Sequence, residues 1–276
     1  MQRSFSQVDV FSSEPFTGNP VAVVLDGQGL STAQMQRFAR WTNLSETTFV
    51  LPPDAPGADY LVRIFTPAAE LPFAGHPTLG TCHAWLSAGH APREADRVVQ
   101  QCAAGLVPVR RNDGLLGFAA PPLLRSGPVD EALISQIAAQ LEIERADVVD
   151  AQWADNGPGW VAILLASADA VLALRAGDVD LDLGVAGPYP AGSECAFEVR
   201  AFFPVAGRAV EDPVTGSFNA SLAQWLLSSG RASAPYVASQ GTAIGRRGRV
   251  HVTRDDDGTV WVAGATTTRV SGQADL

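Results

Sequence analysis

The chain has 276 residues, 46% of them apolar and only 17% charged, enough for one large domain or two of ordinary size around a substantial core. A formal charge of −10 and a pI near 4.8 exclude a surface built to neutralise nucleic-acid or anionic-lipid phosphates, and fit a protein that handles small molecules. All nineteen basic residues are arginine, which excludes an internal Schiff base, a lysine-anchored pyridoxal phosphate and the lysine of an ordinary phosphate-binding loop.

The opening MQRSFSQVDVF has no basic segment ahead of an apolar core, and no run reaches the roughly 18 apolar residues of a membrane span. A cytoplasmic protein without membrane or nucleic-acid partners is expected. Segment 31–43 starts with Ser31 as a cap and lines Met35, Phe38, Ala39 and Thr42 along one helical face. YLVRIF at 60–65 and FEVRAF at 197–202 are dense in β-branched and aromatic residues and stop at proline, as half-buried strands do. Segment 129–141 repeats Leu133, Ile137 and Leu141 at helical spacing, and VHVTRDDDGTVWVAG reads as a hairpin with Asp257-Gly258 in its turn. Its acidic tip is read as solvated rather than calcium-binding, and GRRGR at 245–249 as a surface loop. Three cysteines, Cys82, Cys102 and Cys195, read as reduced and mostly buried thiols.

Three blocks occur twice in the same order. VAVVL at Val21 returns as VAILL at Val161, 140 residues later; VRIFTP at Val62 returns as VRAFFP at Val199, 137 later; ELPFAG at Glu70 returns as EDPVTG at Glu211, 141 later. Collinear blocks at nearly constant offset are what an ancestral duplication leaves. The expected organisation is α+β with two similar lobes, 1–123 and 124–276, each a curved barrel-like sheet around a central helix, with the last strand able to return to the first lobe.

The duplicated loops carry the chemistry. In FAGHPTLG, Pro77 suits the first helical position, which sets His76 near the N-cap; Ser217 takes that place in the second copy. Amides at a helix start attract a carboxylate or phosphate, and Gly75 and Gly216 let a ligand come close to them. If the halves face each other, both helix starts serve one small organic acid. Glu46, in NLSETTFV, stands where a helix gives way to a strand; it is either a solvated helix-end glutamate or a desolvated acid/base group with a raised pKa. No metal is expected, because His76, His83 and His90 span about 10.5 Å per seven helical residues and cannot share one ion.

QVDVFSSEPFTGNPVAVV, NLSETTFV, RIFTPAAELPFAGHPTLGTCHAWL, FFPVAGRAVEDPVTGS, QGTAIGRRGRVHV and VWVAGATTTRVSG together resemble the PhzF family of isomerases, relatives of diaminopimelate epimerase and proline racemase. The resemblance covers nearly the whole chain. It implies a diaminopimelate epimerase-like fold, a homodimer, no cofactor, and Glu46 as acid/base, supported by His76, Asp212 and Ser217. The epimerase relatives use one cysteine from each half; this chain has Ala74 and Thr215 there, which leaves one-base chemistry. Glu46 would take a proton from carbon, and Glu46 or an acid relayed through His76 and Asp212 would return it elsewhere in a conjugated amino or hydroxy acid. The family's named substrate is trans-2,3-dihydro-3-hydroxyanthranilate. Asn19 in the GNP turn either faces the substrate or simply forms the turn. Phe218, where smaller residues or histidine commonly follow in the family, is expected to narrow the pocket. Two other functions compete: an amino-acid racemase or epimerase using Glu46 with a non-cysteine partner, and a non-catalytic member that binds a metabolite or protein.

Overall fold

The computed structural model describes residues 1–205 and 208–276. They divide into two units, Met1–Ala119 with Ala263–Leu276, and Ala120–Val262.

The first unit runs β1 (Gln2–Val10), β2 (Asn19–Val24), α1 (Thr32–Thr42), β3 (Glu46–Leu51), β4 (Tyr60–Phe65), β5 (Glu70–Leu71), α2 (Gly75–Ser87), β6 (Arg97–Cys102), β7 (Gly105–Asn112) and β8 (Leu115–Ala119). β2 pairs with β1 antiparallel and with β3 parallel; β4 then pairs with β3 and β5 antiparallel and with β6 parallel. Ser31 caps α1 in a reciprocal capping box with Gln34, and the helix buries Met35 and Ala39 on the face the spacing predicts. α2 is different in kind. Ten of its thirteen residues are buried, so it is enclosed on nearly all sides. Gly80 is what permits that closeness, since a Cβ there would stand 2.3 Å from Val21 Cγ1.

The second unit runs β9 (Arg125–Pro128), α3 (Glu131–Gln140), β10 (Val148–Asp155), β11 (Val161–Leu165), α4 (Ala168–Ala173), β12 (Leu183–Pro188), β13 (Phe197–Val205), β14 (Arg208–Glu211), α5 (Gly216–Ser228), β15 (Tyr236–Gln240), β16 (Gly248–Arg254) and β17 (Val260–Gly264). Its pairing repeats that of the first unit. β11 is antiparallel to β10 and parallel to β12, and β13 is antiparallel to β12 and β14 but parallel to β15. α5 has the thirteen-residue length of α2 and buries nine of those residues. Outside the sheet, α3 and α4 close a second core in which Ile137, Leu141, Val171 and Phe202 are buried. The final strand β18 (Thr266–Asp275) pairs with β1, so the end of the chain lies in the first unit.

Two expectations need correction. β13 does not stop at its proline: Pro204 lies opposite Ala209, next to the last pair of the β13–β14 ladder, Val205–Arg208, where a missing donor is tolerated. The helices also begin earlier than Pro77 and Ser217 suggest, with Ala74 and Thr215 as the N-caps. The first intrahelical bonds run from Thr78 N to Ala74 O and from Asn219 N to Thr215 O. Pro77 is thus the third helical residue, a place as free of donor demand as the first. No helix among the described residues is long and apolar enough to cross a membrane.

Candidate active site

In the first unit three side chains meet. Asn19 is the first residue of β2 and Glu46 the first of β3, and the parallel pairing of these strands sets both at the same end. His76 is the second residue of α2. Asn19 Nδ2 lies 3.4 Å from His76 Nδ1, and His76 Nε2 lies 3.2 Å from Glu46 Oε2. An amide nitrogen can only donate, so Nδ1 accepts and the neutral ring carries its proton on Nε2, the nitrogen beside the carboxylate. That contact is within ion-pair range but outside hydrogen-bond alignment. The two groups are adjacent without being locked together. Burial pushes His76 down to about 3, so the imidazole is neutral at ordinary pH. Glu46 retains 15% of its side-chain exposure against 5% for His76, which leaves the carboxylate as the approachable member of the pair.

The loop ahead of Asn19 is held by a residue the sequence reading passed over. Asp9, nearly fully buried, accepts from Thr17 N at 3.1 Å and Gly18 N at 3.0 Å. The second unit has a matching device: Asp155 Oδ1 accepts from Gly157 N and Gly159 N, in the turn before Trp160. The available signal was a carboxylate near loop glycine, Gly18 in the first place and Gly157 and Gly159 in the second.

Asp212 and Ser217 belong to the second unit. Asp212 Oδ2 accepts a 2.6 Å hydrogen bond from Thr215 Oγ1. Ser217, second in α5 as His76 is in α2, accepts from Trp160 Nε1 at 3.1 Å through its hydroxyl and from Asn156 Nδ2 at 2.9 Å through its carbonyl. Its own hydroxyl proton stays available for donation. Ser217 follows His76 by 141 residues, and each is touched from its own unit: His76 by Asn19, the first residue of β2, and Ser217 by Trp160, immediately before β11. Gly75 and Gly216 are the first residues of the two helices and both are buried. At the helix start of α2, Pro77 leaves the amides of Gly75 and His76 as the donors without an intrahelical acceptor.

Phe218 packs in the interior of the second unit. It is fully buried with its ring over Gly184, where a Cβ would be only 1.9 Å from the ring edge, and its centroid is 5.3 Å from that of Trp160. The ring therefore supports the tryptophan that touches Ser217. Cys82 is fully buried, and desolvation pushes its thiol up to about 12. All three cysteines are free and buried. Among the described residues no three His, Cys, Asp or Glu side chains gather as metal ligands would.

A family model described as phenazine biosynthesis-like protein, PhzC-PhzF, matches residues 8–274. The chain belongs to the PhzF family. Antisense-enhancing sequence 1 of Schizosaccharomyces pombe is 36% identical over 295 residues, spanning 99% of each chain. Trans-2,3-dihydro-3-hydroxyanthranilate isomerase of Pseudomonas aeruginosa is 37% identical over 263 residues, spanning 91% of this chain and 90% of that one. The crystal structure of a PhzF-family protein of Bacillus anthracis superposes with a TM-score of 0.84 at 22% identity over the whole of both chains. This PhzF-family chain therefore has the expected α+β, diaminopimelate epimerase-like fold, and it is a PhzF-like isomerase.

Proposed function

We propose that this chain moves a proton and a double bond within a small conjugated amino or hydroxy carboxylic acid, without a cofactor. The observation that carries the proposal is the contact of neutral His76, its proton on Nε2, with the partly exposed Glu46 carboxylate. In this reading the substrate carboxylate is bound by amides at a helix start, Gly75 in the first unit or Gly216 in the second among them. Glu46 removes a proton from an adjacent carbon, and the electron pair of that C–H bond enters the conjugated system. A new C–H bond forms at another carbon of the system. Its proton comes from Glu46 itself or is relayed through His76, so atoms and charge balance without an outside reactant. Asp212 and Ser217 are the candidate groups of the second unit, Ser217 as a hydroxyl donor.

Ala74 and Thr215, where the epimerase relatives have cysteines, offer no thiol pair for inversion, and the buried Cys82 is too weakly acidic to replace one. Trans-2,3-dihydro-3-hydroxyanthranilate, named in the relative from P. aeruginosa, is the first substrate to try. A homodimer in the cytoplasm completes the proposal. The test is incubation of the protein with a panel of conjugated amino and hydroxy acids in heavy water. Deuterium at a carbon remote from the one that loses hydrogen, with a shifted double bond, is the expected result. Inversion at a single centre would replace this reading with a racemase, and binding without exchange would replace it with a non-catalytic member of the fold.

A further inference from the structure

Gln240, the last residue of β15, is fully buried and makes four hydrogen bonds through one side-chain amide. Its Oε1 accepts from Thr215 N at 2.9 Å and Asn219 Nδ2 at 2.7 Å. Its Nε2 donates to Asp212 O at 3.1 Å and to Thr215 Oγ1 at 2.9 Å. All the hydrogen-bonding capacity of the amide is spent on the Asp212–Thr215 turn and the first turn of α5. The Thr215 hydroxyl, receiving from Gln240, gives its own proton to Asp212 Oδ2 at 2.6 Å. Gln240 thereby orients the hydroxyl, and the hydroxyl orients the carboxylate.

The backbone beside Gln240 reinforces this grip. At Gly241 a Cβ would stand 2.5 Å from Pro213 O, and at Gly248 one would stand 2.4 Å from Val214 Cγ2. The loop after β15 thus lies directly against the turn that carries Asp212. The fold itself does not demand a glutamine here. In the parallel strand pairs Tyr60 lies opposite Gln100 and Phe197 opposite Ala238, so register equates Gln240 with Cys102 in the first unit. There the helix cap is Ala74, which has no hydroxyl to orient. In the first unit the buried Gln100 donates to Thr78 Oγ1 in the first turn of α2 at 2.9 Å, whereas the bond from Gln240 to Thr215 is passed on to a carboxylate.

We infer that Gln240 is a positioning residue, which holds the Asp212 carboxylate in its working orientation through the Thr215 hydroxyl. This rests on the isomerase reading for its effect on rate, but not for its effect on the turn.

The test compares wild type with Gln240→Leu, Thr215→Val, their double variant and Thr215→Ser. Two measurements are made: kcat and KM for the proton shift, and amide hydrogen exchange across residues 212–219. Gln240→Leu and Thr215→Val should each lower kcat by about 100-fold, the scale of a misplaced reacting group, with KM little changed. The double variant should be no slower than either single one, and Thr215→Ser should recover most of the rate. Gln240→Leu should also speed exchange of the Thr215 amide at least tenfold; Thr215→Val, far smaller in its disturbance, keeps the test decisive if the leucine variant folds poorly. Additive losses, or a full rate in Thr215→Val, would overturn the inference. Should wild type turn over no acid in the panel, the isomerase reading fails, and unchanged Thr215 amide exchange in Gln240→Leu would then overturn the positioning role on its own.

Discussion

Arg200 holds Glu211 by two hydrogen bonds, Nε to Oε1 at 3.1 Å and Nη2 to Oε2 at 2.6 Å, in the same way that Arg63 holds Glu70, at 2.7 and 2.6 Å. Each pair staples the strand before a central helix to the short strand that leads into it. The copies differ in burial: side-chain exposure is 8% and 9% in the second unit but 26% and 35% in the first. Arg200 also donates to the carbonyls of Val171 and Leu174 at the end of α4. Arg200→Ala should therefore cost about 3–5 kcal/mol, because it strands Glu211 in the interior. Arg63→Ala should cost no more than about 1 kcal/mol. Denaturant unfolding of the two variants checks the contrast, and equal losses would contradict it.

The packing of Phe218 on Gly184 makes a compensating pair. Gly184→Ala puts a methyl into the ring and should destabilise the protein by about 1–3 kcal/mol. Phe218→Leu frees that space, so the double variant should be less than the sum of the two single losses in thermal melts. Simple additivity would mean that the ring does not occupy this place.

The two lobes were legible because the duplicated blocks fall at equivalent elements, and the N-cap of α1 because Ser31 and Gln34 have the spacing of a capping box. Cys82 was readable as a core residue from its place in an apolar helix. The helix starts were displaced because any residue of the first turn lacks an intrahelical acceptor, so proline alone does not number the positions. Asn19 was ambiguous between turn and site; its contact with His76 joins residues 57 positions apart in the chain. Trp160 and Gln240 carry no local motif, because each acts on a helix start remote in sequence. That Phe218 packs over Gly184 is decided by tertiary packing and not by its neighbours in the chain.

Acid titration should separate two buried groups. His76 has its folded value lowered by burial to about 3, so between there and about 6.5 the unfolded chain binds the extra proton and stability falls with acidification. Asp182 is shifted the other way, up to about 6 by burial and then by the nearby Asp155, so in the folded state it takes its proton first and gains stability as pH drops from about 6 to 4. His76→Asn should make unfolding free energy less acid-sensitive over that range, and Asp182→Asn should make it more so, each by about one proton's slope. Urea titrations at several pH values measure both; slopes of the same sign would contradict the assignments.

The most direct measurement follows Glu46. In heavy water, with a conjugated acid that wild type isomerises, proton and deuterium resonances report hydrogen lost from one carbon and gained at another. Glu46→Gln keeps the size of the side chain but removes its charge and its basicity, so affinity for the acid should change little while exchange and turnover fall by about 1,000-fold or more. Full exchange in the glutamine variant would contradict the account, since some group other than Glu46 would then be moving the proton.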